Sequence, residues 1–202
     1  SFFYPPQAVY LGRLLYLAFG SGERMNVGYF GDATEDENNR FYSMTDRDPY
    51  ELNVSPYATL TEANLTEVND SSTCADVNGR GFFFKVRDGE KFVTNAEIFN
   101  RYVFAGTFQP TTSGDPCTSK GNGRLYAFRV DCGLPLFLDN LGNPKKDVDI
   151  GEGMPTDPKV SVGVDGEDNR IYIEKSGADL ESIGASDLDF DDGSLIYWRE
   201  VD

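Results

Sequence analysis

The sequence contains no histidine. That absence removes the commonest general base, the Ser-His-Asp and Cys-His nucleophile systems, and most zinc sites. Basic residues are also scarce: 18 Lys and Arg stand against 34 Asp and Glu, a net charge of −16. No cationic surplus exists to neutralise phosphates, which argues against nucleic acid and anionic lipid as electrostatic partners. No apolar run approaches the roughly 18 residues that a membrane helix needs. The longest, Leu11 to Phe19, is broken by Gly12 and Arg13. The chain opens on Ser1 without a signal-peptide pattern, so a segment excised from a longer chain is expected.

What the sequence does have is 21 Gly, 11 Tyr and 15 Phe, a composition of turns and aromatic strands. At 202 residues it is long enough for one sizeable core. The clearest strands are Tyr102 to Phe108 and Leu125 to Val130, joined by a polar loop. Before them, Ala96-Glu97-Ile98-Phe99 and the turn Asn100-Arg101 lead into the first of the pair. An earlier stretch has the same layout: Ala8-Val9-Tyr10, a turn at Gly12, the apolar Leu14 to Phe19, an acidic loop, and an aromatic strand from Asn39 to Asp46. A third copy begins at Gly153, with strands at Lys159 to Val164, Arg170 to Glu174 and Ser194 to Glu200.

Strands that are apolar on both faces belong in sheets sandwiched between other sheets. A loose repeat of that kind predicts an all-β fold of β-propeller blades, about three to four in residues 1–202. A β-sandwich with irregular hairpins is the competing architecture. So few blades sit near the lower limit for a closed ring, so a second chain or a further segment is expected to complete it. Residues 47–80 read as a long polar insertion with one short helix over Thr61 to Val68, capped by Thr61. The insertion holds N-x-[ST] matches at Asn53, Asn64 and Asn69. Gly81 to Val86 is a strand, and Arg87-Asp88-Gly89-Glu90 carries the Asp-Gly signal of a hairpin.

The three cysteines are Cys74, Cys117 and Cys132. Pairing Cys117 with Cys132 would close a short loop around the Leu125–Val130 strand, a bridge that contributes about 3 kcal/mol and calls for an oxidising compartment. Cys74 would then be free, or paired with something outside the chain. A metal site is the rival reading, although the spacing fits no zinc or iron–sulfur pattern.

Several motifs occur together in order. They are Phe92-Val93-Thr94-Asn95-Ala96, Val103-Phe104-Ala105-Gly106-Thr107-Phe108-Gln109-Pro110, Asp115-Pro116-Cys117, Gly123-Arg124-Leu125-Tyr126-Ala127-Phe128, Gly153-Met154-Pro155-Thr156-Asp157-Pro158 and Ile196-Tyr197-Trp198-Arg199-Glu200. With Leu17-Ala18-Phe19-Gly20-Ser21-Gly22-Glu23, they give the chain a resemblance to the PilY-type propeller proteins of bacterial type IV pili. Asn95-Ala96 departs from that family's small residue and proline. Arg87-Asp88-Gly89 is not the Arg-Gly-Asp found in some members, so an integrin-binding role is not implied.

The resemblance implies a secreted, non-enzymatic protein at the pilus tip or cell surface. It would act as an adhesin on a host or abiotic surface or as a mechanosensor, and assist minor pilins in assembly. It also implies calcium, for which Asp187, Asp189 and Asp191 supply hard oxygen donors at alternate positions. Asp147-Val148-Asp149 and the run Asp32 to Glu37 are weaker candidates. Two other functions compete. Leu125-Tyr126-Ala127-Phe128 also resembles a strand of quinoprotein dehydrogenases, but the repeated tryptophan of that group is missing, since only Trp198 exists. A carbohydrate-binding propeller is the third reading.

Overall fold

The computed structural model describes residues 2–27, 38–50, 59–77, 79–111, 121–162, 169–176 and 180–184. Among them the chain forms three main sheets in succession, mostly antiparallel and packed face to face, and one two-stranded hairpin. In the first sheet are β1 (Gln7–Leu11), β2 (Leu14–Gly20), β3 (Arg40–Asp46), β4 (Thr66–Glu67) and β5 (Gly81–Lys85). Their order is β1-β2-β3-β5-β4, and only β4 on β5 runs parallel. The middle sheet has β6 (Lys91–Phe92), β7 (Glu97–Phe99), β8 (Tyr102–Pro110) and β9 (Gly121–Arg129). A small hairpin of β10 (Phe137–Leu138) and β11 (Pro144–Lys145) then leads to β12 (Asp147–Glu152), which closes the order β12-β9-β8-β6. The third sheet is β13 (Lys159–Ser161), β14 (Arg170–Glu174) and β15 (Leu180–Gly184).

The middle sheet is the shared wall of two cores, and strand alternation decides which residue enters which. From β8 and β9, Val103, Ala105, Tyr126 and Phe128 face the first sheet and meet Phe41, Phe82 and Phe84. The intervening Phe104, Leu125 and Ala127 face the third sheet and meet Ile171 and Ile173. Phe128 is the hub of the first core: its ring lies edge-on to Phe41 and Phe84, each with centroids 4.9 Å away. Fully burying one such ring contributes about 1.5–3 kcal/mol, with a further ~0.5–1.5 kcal/mol for each well-oriented aromatic pair. Close approach has its own sequence requirement. A side chain at Gly20 would run into the Phe92 ring, and one at Gly106 would meet Thr94 at 2.6 Å.

Local chemistry sets the joints. Asn100 and Arg101 both take positive φ, 44° and 68°, and form the two-residue turn between β7 and β8. Consecutive positive φ values match the strands' right-handed twist, which is why such turns close hairpins. The Asp88-Gly89 turn behaves differently. It bends, with Gly89 at φ 70° and the Glu90 N–H donating to Arg87 O at 3.0 Å, but β5 and β6 do not pair. The expected hairpin is instead the crossing from the first sheet to the middle one.

The expected helix over Thr61 to Val68 is a three-residue 3-10 turn, Glu62–Asn64. Thr61 stands at its N-cap position, where the Asn64 side chain reaches back: Oδ1 accepts from the Thr61 N–H at 2.9 Å and from the Thr61 hydroxyl at 3.0 Å. From Leu65 the backbone is extended, and β4 joins the edge of the first sheet beside β5. The stretch read as a polar insertion is therefore part of the fold in its described portion. Leu65 and Val68 are buried, and Asp70 pairs with the buried Lys146 at 2.9 Å.

The cysteine pairing differs from the expected one. Cys132 is bonded to Cys74, with Cα atoms 5.1 Å apart, and the Ala75 N–H donates to Cys132 O at 3.3 Å beside the bridge. The reason is topological. The segment holding Cys117 leaves and re-enters the sheet at Pro110 and Gly121, which pair at the far end of the β8–β9 hairpin. Cys132 follows the other end of β9, about 30 Å away for nine extended residues. A disulfide needs Cα atoms within about 7 Å. Cys117 itself lies outside the described residues.

Candidate functional site

Two polar assemblies stand out against this apolar architecture. The first grows from the crossing turn. Glu90 is fully buried, although a carboxylate in that position requires partners. It finds them on the middle sheet: Thr107 of β8 donates to Oε1, and the Tyr126 hydroxyl of β9 donates to Oε2 at 3.2 Å. The Arg87 backbone N–H adds a bond of 3.2 Å from its own turn. Arg87 then forks onto Asp147 of β12, with contacts of 3.2 and 3.0 Å. Arg124 lies between the carboxylates, 3.8 Å from Glu90 and 3.3 Å from Asp149.

Protonation follows from this packing. Burial, then the neighbouring Glu90 and Asp147 carboxylates, pushes the Tyr126 phenol far above its ordinary value, so it serves as a donor. Burial works against the charge on Arg87, but the hydrogen bonds and charge of Asp147 outweigh it and hold the guanidinium firmly protonated. Cations and anions in this cluster answer one another, and its groups tie a connecting turn to β8, β9 and β12.

This assembly also settles the place of Asp147 and Asp149. Their oxygens face Arg87 and Arg124, where a calcium ion would be repelled by guanidinium charge. Asp187, Asp189 and Asp191 lie outside the described residues, as does the run from Asp32 to Glu37. Among the described residues no group of three or more Cys, Asp and Glu gathers to hold a metal ion.

The second assembly is a cleft of about 570 Å³ where the entry to the first sheet, the β6–β7 connection and the third sheet converge. Tyr4 and Arg24 line it from the first region, and both are fixed at Val93. The Tyr4 hydroxyl donates to Val93 O at 2.6 Å, and Arg24 donates to the Tyr4 oxygen at 2.8 Å. Asn95 locks Asp157 in a two-point contact, with its backbone N–H at 2.8 Å and its side-chain amide at 2.9 Å.

The third sheet contributes its outward face. Along β14, Ile171 and Ile173 are buried while Tyr172 and Glu174 point away from the core into the cleft. Lys159 stands directly across from Tyr172, and Leu180 across from Glu174. The lining thus combines tyrosines, an exposed leucine and charges of both signs. Sequence reasoning missed it because these residues are scattered from position 4 to position 180. The one available signal was the alternation along β14, which sets Tyr172 and Glu174 opposite the buried isoleucines.

Fold and site together define an all-β protein of stacked antiparallel sheets with an open polar cleft. Compared with protein-family models, curated proteins and solved structures, the chain matches none of them.

Proposed function

We propose that this chain is a blade-bearing segment of a type IV pilus-associated surface protein, a tip adhesin and assembly factor that works by binding. The observation that carries the reading is the middle sheet. Its two long strands hold the Val103-to-Pro110 and Gly123-to-Phe128 motifs that resemble PilY-type proteins. They lie at the centre of a stack with both faces covered, as a propeller blade does. On this reading a further segment or a second chain completes the ring. The Cys74–Cys132 bridge supports an oxidising, extracellular setting.

The test is association in the native organism. The full-length gene product should be recovered from the cell surface or sheared pili and co-purify with minor pilins after cross-linking. Its deletion should reduce surface piliation and attachment. Recovery from the cytoplasm, with piliation unchanged by deletion, overturns the proposal. Calcium at Asp187, Asp189 and Asp191 belongs to the same proposal. It requires a rise in Tm with calcium that Asp187→Ala plus Asp189→Ala abolishes.

A further inference from the structure

We infer that the cleft beside β14 is a binding site for a neutral saccharide. The inference rests on the reading of this chain as a binding protein and gives that protein a ligand class. Size comes first: about 570 Å³ lies within the range of about 300–1,000 Å³ typical of small-molecule sites.

Charge comes next. The protein as a whole carries −16, yet the cleft sets Arg24 and Lys159 against Asp157 and Glu174. Locally balanced charge favours neither an anion nor a cation. Four charged side chains in the lining also disfavour a purely apolar ligand, which would strip their water without replacing it.

A sugar ring fits what is left. One of its faces presents C–H groups that pack on an aromatic side chain, and its rim presents hydroxyls that donate and accept at once. Tyr172 supplies an amphipathic ring that costs little conformational entropy to fix. Glu174 lies two residues along the same strand face and accepts from paired hydroxyls, while Lys159, across from Tyr172, donates to others. Asp157 is held in place by Asn95 and Tyr4 by Val93, so this part of the lining is pre-organised and loses little on binding.

The experiment titrates the purified protein with lactose, maltose, cellobiose and chitobiose, read by calorimetry and saturation-transfer NMR. Sialylated and sulfated oligosaccharides form a second arm. Saturable binding of a neutral disaccharide is expected, with a Kd of about 1 mM or tighter. Tyr172→Ala should weaken it at least tenfold and Glu174→Gln severalfold. Both positions face outward, so Tm and circular dichroism should stay at the wild-type values; Leu141→Ala, exposed on the β10–β11 turn, is the surface control that leaves binding unchanged.

Three results overturn the inference: no saturable binding of any neutral disaccharide, equal affinity in wild type, Tyr172→Ala and Glu174→Gln, or binding restricted to the anionic sugars. Co-purification with minor pilins, measured on the same variants, separates the two claims. Retained association without sugar binding removes the saccharide site alone. Sugar binding without any pilus association removes the pilus reading and leaves the site.

Discussion

The Cys74–Cys132 bridge gives the sharpest quantitative test. It closes a loop across a sequence separation of 58 residues. In the chain-entropy account, tying a loop of that size removes freedom from the unfolded chain that contributes about 4 kcal/mol to the folded state. For a chain of this length each kcal/mol shifts Tm by about 2–4 °C, so losing the bridge lowers Tm by about 10 °C. Cys74→Ser is the cleaner perturbation, because Cys74 is exposed whereas Cys132 is buried. Urea denaturation of Cys74→Ser should show the full loss, and added dithiothreitol should bring wild type down to the same stability. Cys117→Ser should stay within about 0.5 kcal/mol of wild type. Tryptic mapping without reductant should join peptide 48–80 to peptide 130–145 and leave peptide 102–120 with a free thiol. A cross-link between 102–120 and 130–145 would refute the topological argument, and so would a Cys74→Ser protein of wild-type stability.

Three further outcomes follow from the cores and ion pairs. Glu90→Ala leaves Arg87, Thr107 and Tyr126 facing a buried gap, so urea denaturation should show a loss of about 3–5 kcal/mol; a loss under 1 kcal/mol would contradict the role given to the network. Phe128→Ala empties the hub of the first core and should cost about 3–5 kcal/mol, whereas Leu141→Ala at an exposed position should be close to neutral. Burial alone would raise the Asp131 pKa, but hydrogen bonds and charge from Arg129 and Arg101 prevail and hold it below the usual carboxylate value. Its contribution is therefore complete above the unfolded-state value of about 3.9 and fades as pH falls through the lower folded-state value. The stability gap between wild type and Asp131→Asn should be constant near neutrality and shrink below about pH 4; an unchanged gap in acid counts against the ion pair.

Much of the fold was legible because strand periodicity is a local signal. The expected strands at Leu14 to Phe19, Gly81 to Val86 and Arg170 to Glu174 match β2, β5 and β14 to within a residue. The double-sided apolar character of β8 and β9 correctly announced a sheet with two covered faces. What failed depends on pairing, which no local pattern encodes. Asp88-Gly89 bends the same way whether the next strand returns beside β5 or crosses to another sheet. Asn64 reaches back to the Thr61 N–H as it would at the start of a helix, yet an open edge beside β5 drew Thr66 and Glu67 into a strand. The cysteine pairing required knowing which end of the β8–β9 hairpin leads toward Cys132 and which opens onto the segment that carries Cys117. The cleft was least legible of all, since Tyr4, Asp157 and Tyr172 become neighbours only after three sheets have stacked.

The bridge also changes how this chain would carry load. Every strand from β5 to β9 lies between Cys74 and Cys132, so the stretch that builds the centre of the stack is enclosed by a covalent link. A force drawn through the two ends of the chain passes across the sulfur atoms and bypasses that stretch. At about 3.5 Å per extended residue, some 200 Å of contour stays out of reach until the disulfide is reduced. Under tension the flanking strands can peel away while the enclosed hairpin keeps its shape, so the protein's maximum extension is set by its redox state.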